Sequence, residues 1–242
     1  MIASIMYNTD SFVEFYVLDS GVSENNKQRI LNLQDNFENF SIEFIPVDFK
    51  QFTGFAYETT YNRFLIPLLK PDIKRAIYLD VDIIVLKDIK ELWQQNLEDY
   101  MLGAVIDLPI VNSSNSENKL VFQKPETYFN AGVLLIDYGK WRQKEGTNEN
   151  IVDRLFEIER EIGSIVSHKD QSLLNKYFDN NYKILENKFN YFFGNDMGIV
   201  VRHFAGNKPL RNADMPHQKE FWFYASMTVF FNEMKYRFIN KG

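Results

Sequence analysis

The sequence predicts an α/β fold: an open, mostly parallel sheet flanked by helices. Three observations carry that expectation. Strand-like and helix-like segments alternate through the first half of the chain, the pattern of a sheet wrapped by helices. Arg75–Leu86, RAIYLDVDIIVL, is apolar on both faces, as a central parallel strand is. The 242 residues are 45% hydrophobic and 25% charged, a composition that builds a globular core and excludes a disordered or low-complexity chain.

Taken in order, Glu14–Leu18 (EFYVL) is β-branched and aromatic and stops at Asp19-Ser20-Gly21, so it reads as a strand ended by a turn. Ser23 opens a helical stretch in which Ile30, Leu33 and Phe37 recur at spacings of three and four. Ser41–Val47 is a second strand, and Thr60–Leu69 is a helix ended by Lys70-Pro71. Arg75–Leu86 follows as the central strand, Asp88–Leu97 as a helix and Met101–Ile106 as a strand. From Pro109 to Pro125 the character changes: VNSSNSENK is polar and turn-rich, which predicts a surface loop or lid. Tyr128–Ile136 returns to strand, and residues 148–162 and 169–178 return to helix. Ile199–Phe204 is a late strand broken by Gly206-Asn207-Lys208-Pro209, and residues 217–238 form an aromatic-rich helical tail. No linker divides the chain, so residues 1–242 read as one domain.

Composition narrows the chemistry. The formal net charge is -6, which argues against a nucleic-acid binder with its basic face. Cysteine is absent, which excludes disulfides, thiol nucleophiles and thiolate metal sites. Any histidine chemistry must use His168, His203 or His217. No apolar run approaches the roughly 20 residues that span a bilayer. The opening MIASIMYNTD has neither a basic n-region nor a long apolar h-region, so it is not read as a signal peptide. The expectation is a cytoplasmic protein.

Asp80-Val81-Asp82 is the strongest chemical signal. On a strand, residues two apart point to the same side, and two carboxylates set together among apolar flanks call for a neutralising partner. A hard divalent cation with oxygen ligands is one solution; a strand end with both acids in solvent is the other. In VRHFAGNKP, His203 could supply a third ligand from its ring, Gly206 permits close backbone approach, and Lys208 could meet a phosphate. A structural histidine beside an ordinary turn is the competing reading there. His168-Lys169-Asp170-Gln171 opens a helix, where Asp170 gains from the N-terminal partial charge with or without a ligand. Tyr128-Phe129-Asn130-Ala131-Gly132 precedes a buried run. Its Asn130 and Gly132 read either as a backbone that approaches a ligand or as a bulged strand entry.

The motifs TYNRFLIP, YLDVDIIVLKDIKELW, YFNAGVLLIDYGKWR, HKDQSLLN and VRHFAGNKP stand in that order. Together they resemble glycosyltransferase family 8, the retaining transferases that include bacterial lipopolysaccharide galactosyl- and glucosyltransferases and glycogenin. The resemblance covers roughly residues 10–210. It implies a GT-A fold, a UDP-sugar donor and Mn²⁺, with Mg²⁺ as the substitute. Carried over by motif, it implies Asp80, Asp82 and His203 as metal ligands, and Gly206 and Lys208 on the diphosphate. Arg63, Asp107, Asn130, Gly132 and Asp170 would hold the donor, with Gln171 nearest the anomeric carbon and Asn130 and Asp170 beside it. The implied reaction moves glucose or galactose to a glycan or lipid-linked acceptor in cell-surface polysaccharide or lipopolysaccharide synthesis.

Two departures from the family's pattern are visible. Met1–Asn8 looks like the end of the family's first helix, so the chain reads as N-terminally truncated, without the first strand and its uridine loop. In HFAGNKPL the Gly–Lys spacing is one residue shorter than usual, and Leu210 stands where the family has Trp. These departures support one rival, a truncated, non-catalytic or weakly active homologue. A second rival, an aspartyl-phosphate phosphatase, wants its D-x-D on the first strand, whereas this one follows three strand-like segments. The C-terminal KEFWFYASMTVFFNEMKYRF reads as a capping helix, with peripheral membrane contact as the alternative.

Overall fold

The computed structural model describes residues 1–48, 59–113, 121–194, 196–206, 208–212 and 214–239. In chain order the elements are α1 (Ile2–Asn8), β1 (Val13–Asp19), α2 (Glu24–Leu31), β2 (Phe40–Pro46), a 3₁₀ stretch (Thr59–Leu65) leading into α3 (Ile66–Leu69), β3 (Arg75–Leu79) and β4 (Ile83–Val85). Then come α4 (Lys90–Trp93), β5 (Leu102–Ile106), α5 (Leu108–Val111), β6 (Phe129–Asp137), α6 (Tyr138–Glu145), α7 (Asn148–Ile162), α8 (Lys169–Phe178), β7 (Lys183–Ile184), β8 (Val201–His203), α9 (Gln218–Ser226) and α10 (Phe231–Ile239). They gather into two compact units. One comprises Met1–Val47, Asp80–Gln94 and Lys188–Gly242, and the other Asp48–Leu79 and Gln95–Asn187.

In the first unit, β1 and β2 pair in parallel from Val13↔Phe40 to Asp19↔Pro46. Asp19 ends β1 by accepting the backbone N–H groups of Gly21 at 2.8 Å and Val22 at 2.6 Å, and it binds Lys27 at 2.8 Å. Ser23 caps α2 through the Asn26 N–H, as the sequence predicts. The second pair, β4 with β8, is antiparallel and sets Ile83 opposite His203. Helix α1 satisfies the flank of β4 with side chains. Ser4 Oγ accepts the Val85 N–H at 2.9 Å, and Asn8 Nδ2 donates to the Val85 carbonyl at 3.0 Å. The same Asn8 amide donates to Tyr224 Oη on α9 at 2.8 Å. Tyr224 packs with Ile84 and Phe204, and Phe221 and Met227 cover that cluster. The C-terminal tail therefore does cap strands, through α9, and it forms two helices rather than one. Among the described residues, no helix is long and apolar enough to cross a membrane.

The second unit is built on a four-stranded sheet of order β3-β6-β5-β7. Its axis is β6, buried from Phe129 to Ile136. It runs antiparallel to both β3 and β5, while β5 and β7 are parallel. The apolar stripe of α7, Ile151, Val152, Leu155, Phe156, Ile158 and Ile162, is buried, as its period demands. Helix α8 is tied to β6 by Asn175: its Oδ1 accepts the Phe129 N–H at 2.8 Å and its Nδ2 donates to the Phe129 carbonyl at 2.9 Å.

Two expectations need correction. Arg75–Leu86 is not one central parallel strand. It breaks at Asp80–Asp82 into β3 and β4, which pair antiparallel with different partners in separate sheets. The physical reason is that two carboxylates interrupt an otherwise largely apolar run, and the chain turns to bring them out of it. Nor are the strands mostly parallel: directions are mixed, because β6 enters between β3 and β5 in the opposite sense. Of the expected loop at 109–125, residues 114–120 lie outside those described, and its start folds as α5. Thr60–Leu69 is helical, but with a 3₁₀ first half.

Asn175→Ala removes both side-chain bonds to a buried strand end. The expected cost is about 2–3 kcal/mol, read as a lower urea midpoint by circular dichroism at unchanged m-value.

Candidate functional site

The first candidate cluster lies in the unit that holds β4 and β8. Asp80, Asp82 and His203 each offer a ligand atom, and those atoms all lie within 4.8 Å of one another. The acids converge by turning, not through strand alternation: Asp80 to Asp82 is the turn out of β3, with Val81 88% exposed between them. The Phe204 N–H donates to the Asp82 carbonyl at 2.9 Å and so fixes the turn against the end of β8. Alternation along β8 sends His203 and Arg202 to opposite sides. Arg202 donates to the Tyr191 carbonyl at 2.9 Å and lies 5.0 Å from the Phe204 ring.

His203 is buried, and its two ring nitrogens have different neighbours. Nδ1 is 2.9 Å from Asn190 Oδ1, while Nε2 is 3.2 Å from Asp82 and 3.9 Å from Asp80. A carbonyl oxygen can only accept, so Nδ1 carries a hydrogen, and Nε2, the nitrogen that faces the carboxylates, is the one that would ligate a cation. Two carboxylates and an imidazole suit a hard or borderline divalent cation. The residues present fit such an ion.

Lys208 reaches the same group. Its ammonium binds Asp82 Oδ2 and donates to the Phe204 carbonyl at 2.9 Å. Burial works to raise the Asp82 carboxyl, but the hydrogen bonds from His203 and Lys208 outweigh it and hold the group well below the usual carboxylate range. Gly206 has φ +78° with nothing within 4 Å of where a Cβ would stand, which is a backbone open to approach.

The second cluster lies in the unit built on β6. The register of β5 and β6 shifts between Ala104 and Ile106, and the chain leaves β5 at Asp107, whose Oδ1 caps α5 through the Ile110 N–H at 3.1 Å. Its Oδ2 accepts both Asn130 Nδ2 and Gln171 Nε2, each at 3.0 Å. Gln171 Oε1 in turn accepts the Ala131 N–H at 3.0 Å and Asn130 Nδ2 at 3.1 Å. The Gly132 N–H donates to Asn130 Oδ1 at 2.9 Å. Asp107, Asn130 and Gln171 thus form one connected polar group at the start of β6.

Beside it, Arg63 and Asp170 form a buried ion pair at 3.1 Å. Arg63 also donates to the carbonyls of Thr60 at 3.1 Å and Ala131 at 2.6 Å, and its guanidinium lies 4.3 Å from the Tyr78 ring. Asp170 therefore serves as the arginine's partner. His168 stands at the N-cap of α8 without a side-chain cap and meets Ser167 Oγ at 3.0 Å. The sequence reading passed over Asn190 and Asn175. Asn175 closes the HKDQSLLN motif without a role assigned to it, and Asn190 stands outside the motifs.

Known proteins share this fold. Over 94% of this chain and 90% of its own, a structure of the galactosyltransferase LgtC in complex with donor and acceptor sugar analogues superposes with TM-score 0.81 at 28% identity. An LgtC variant with an active-site Gln-to-Glu substitution gives TM-score 0.79 at 27% identity, with the same coverage. The fold is the GT-A glycosyltransferase fold. The family model described as glycosyl transferase family 8 matches residues 1–215, and the chain belongs to that family. A Haemophilus influenzae protein named as a glycosyltransferase is 31% identical over 85% of this chain and 66% of its own length. Glycosyltransferase GlyF of Streptococcus pneumoniae is 26% identical over 91% of this chain and 56% of its own. This chain thus spans roughly half to two thirds of those two relatives. General stress protein A of Bacillus subtilis is 28% identical over 94% of this chain and 88% of its own.

Arg63→Met removes the guanidinium from the buried Asp170 carboxylate, and the expected loss is about 3–5 kcal/mol of stability. Arg63→Lys should recover only part of it, because one ammonium cannot reach three acceptors in fork geometry. Denaturant unfolding of the two variants beside the parent chain checks both statements.

Proposed function

We propose that the chain moves a hexose, glucose or galactose, from a UDP-sugar to a glycan or lipid-linked acceptor with retention at the anomeric carbon. The observation that carries this reading is the Asp80–Asp82–His203 group, in which the imidazole Nε2 faces two carboxylates. Those three residues would hold Mn²⁺, with Mg²⁺ as substitute, and the ion would supply Lewis-acid stabilisation of the UDP diphosphate as leaving group. The LgtC complex with donor and acceptor sugar analogues supports a sugar donor and a sugar acceptor. Cell-surface polysaccharide or lipopolysaccharide synthesis, in the cytoplasm, is the setting proposed, and the two compact units serve one activity.

The chain's own residues take the following parts. Lys208 exchanges its bond to Asp82 for a phosphate oxygen, and the open backbone at Gly206 lets the diphosphate come close. Arg63, Asp170, Asp107, Asn130 and Gly132 bind and orient the donor sugar. As the bond between C1 and the UDP oxygen breaks, the acceptor hydroxyl oxygen bonds to C1 on the same face, and its proton passes to the departing phosphate oxygen. Positive charge develops at C1, and the amide oxygen of Gln171 stabilises it from a fixed position. The active-site glutamine of LgtC supports that role. Gln171 is held in place by bonds to Asp107, Asn130 and Ala131, so little reorganisation is needed when the charge appears.

Calorimetric titration of UDP with and without Mn²⁺ tests the reading. Micromolar, metal-dependent binding is expected, and a folded chain that binds no UDP under either condition is instead a non-catalytic homologue. Asp82→Ala should abolish Mn²⁺-dependent UDP binding with the fold intact. In Gln171→Ala, donor binding should persist while turnover falls by about 10²-fold. Loss of binding in that variant would remove Gln171 from the reacting carbon.

A further inference from the structure

We infer that Asn190 is a positioning residue of the metal group: its side chain sets the His203 tautomer and thereby the divalent-cation affinity of Asp80, Asp82 and His203. The inference rests on the metal reading of that group and adds a residue that no motif names.

Asn190 is fully buried, at 0% exposure, and its Oδ1 stands 2.9 Å from His203 Nδ1. The backbone places it there. Residues 188–191 run beside β8, with the Val200 N–H donating to the Lys188 carbonyl at 2.9 Å. The Tyr191 N–H donates to the Val201 carbonyl at 3.0 Å, and the His203 N–H to the Tyr191 carbonyl at 3.0 Å. Arg202 Nη1 also donates to the Tyr191 carbonyl, and Phe189, at 0% exposure, anchors the segment in the core. Asn190 sits between those anchors, so the amide is delivered by main-chain pairing to one edge of the imidazole. Phe192, two residues on, places its ring 5.4 Å from that of His203.

The chemistry follows from the amide. An imidazole ligates through a lone pair, and only one ring nitrogen of the neutral form has one. With Asn190 Oδ1 accepting at Nδ1, the lone pair is on Nε2, the nitrogen that faces Asp80 and Asp82. Without that acceptor the ring is released to the other tautomer, with an Nε2–H donating to Asp82 at 3.2 Å. That tautomer presents a hydrogen where the ligand lone pair is needed. Partners of this kind typically contribute about 10–100-fold in metal affinity. A carboxylate in the same place would accept the same hydrogen, whereas an apolar isostere would not.

Three measurements test the inference. The first is Mn²⁺ binding without nucleotide, followed by electron paramagnetic resonance of the free ion, for the parent chain, Asn190→Leu and Asn190→Asp. The expected result is about 10–100-fold weaker binding in Asn190→Leu and affinity within a few-fold of the parent in Asn190→Asp. Equal affinity in a folded Asn190→Leu overturns the inference. The second is the ¹⁵N spectrum of labelled histidine in the parent chain loaded with diamagnetic Mg²⁺. His203 should carry its hydrogen on Nδ1, and a hydrogen on Nε2 overturns the inference even if Asn190→Leu fails to fold. The third is a control on the underlying reading: a parent chain that binds no Mn²⁺ removes the metal site itself. That failure differs from a parent that binds while Asn190→Leu binds equally well.

Discussion

Two carboxylates two residues apart cannot be carried through the middle of an apolar sheet. That constraint decides where the chain turns between Arg75 and Leu86. β3 stops at Leu79 and β4 starts at Ile83, and the break coincides with the passage of the chain from one compact unit to the other. Exposure of Val81 lets the two acids face the same partners. The Lys208 ammonium then supplies a positive charge against Asp82, and His203 at the end of β8 sets its Nε2 beside both acids. The antiparallel pairing of β4 with β8 is what brings an imidazole and an ammonium from a distant part of the sequence to that turn.

Neutral amides do most of the fixing. Asn8 and Ser4 satisfy β4, Asn175 satisfies the start of β6, Asn190 holds His203, and Asn130 with Gln171 closes on Asp107. Each is a short polar side chain bonded to a buried group that would otherwise be left unpaired. An amide offers a donor and an acceptor together, so one residue can satisfy both a strand N–H and a carbonyl. It does so without the desolvation cost of a charge. The one buried pair of opposite charges described in the second unit, Arg63 with Asp170, is likewise locked by further bonds to carbonyls.

Much of this was legible in the sequence. The order of strands and helices follows from periodicity and caps: Ser23 starts α2 and the apolar stripe of α7 is where its spacing puts it. Asp80, Asp82 and His203 stood out because titratable residues in apolar runs need a reason to be there. Their convergence was expected, but through strand alternation, and the turn was hidden because Val81 is a strand-favouring residue between strand-favouring flanks. The direction of β6 was not legible, since residue pattern records which faces are buried and not which way a distant partner runs. The roles of Asn175 and Asn190 were not legible either. Their roles depend on backbone groups that only the tertiary structure brings near, and a single asparagine has no period.

Helix α8 carries a feature with a mechanical meaning. Gln171 and Asn175 are one turn apart on the same face, and both hold main-chain atoms at the start of β6: Ala131 by one amide, Phe129 by the other. A helix docked by apolar contact alone can roll or slide a little at modest cost. A slip of one residue in α8 would turn it by about 100° and shift it by about 1.5 Å, breaking both grips at once. The helix is therefore indexed, like a gear held by two teeth. Asp170 takes its angular position from that indexing as much as from its bond to Arg63.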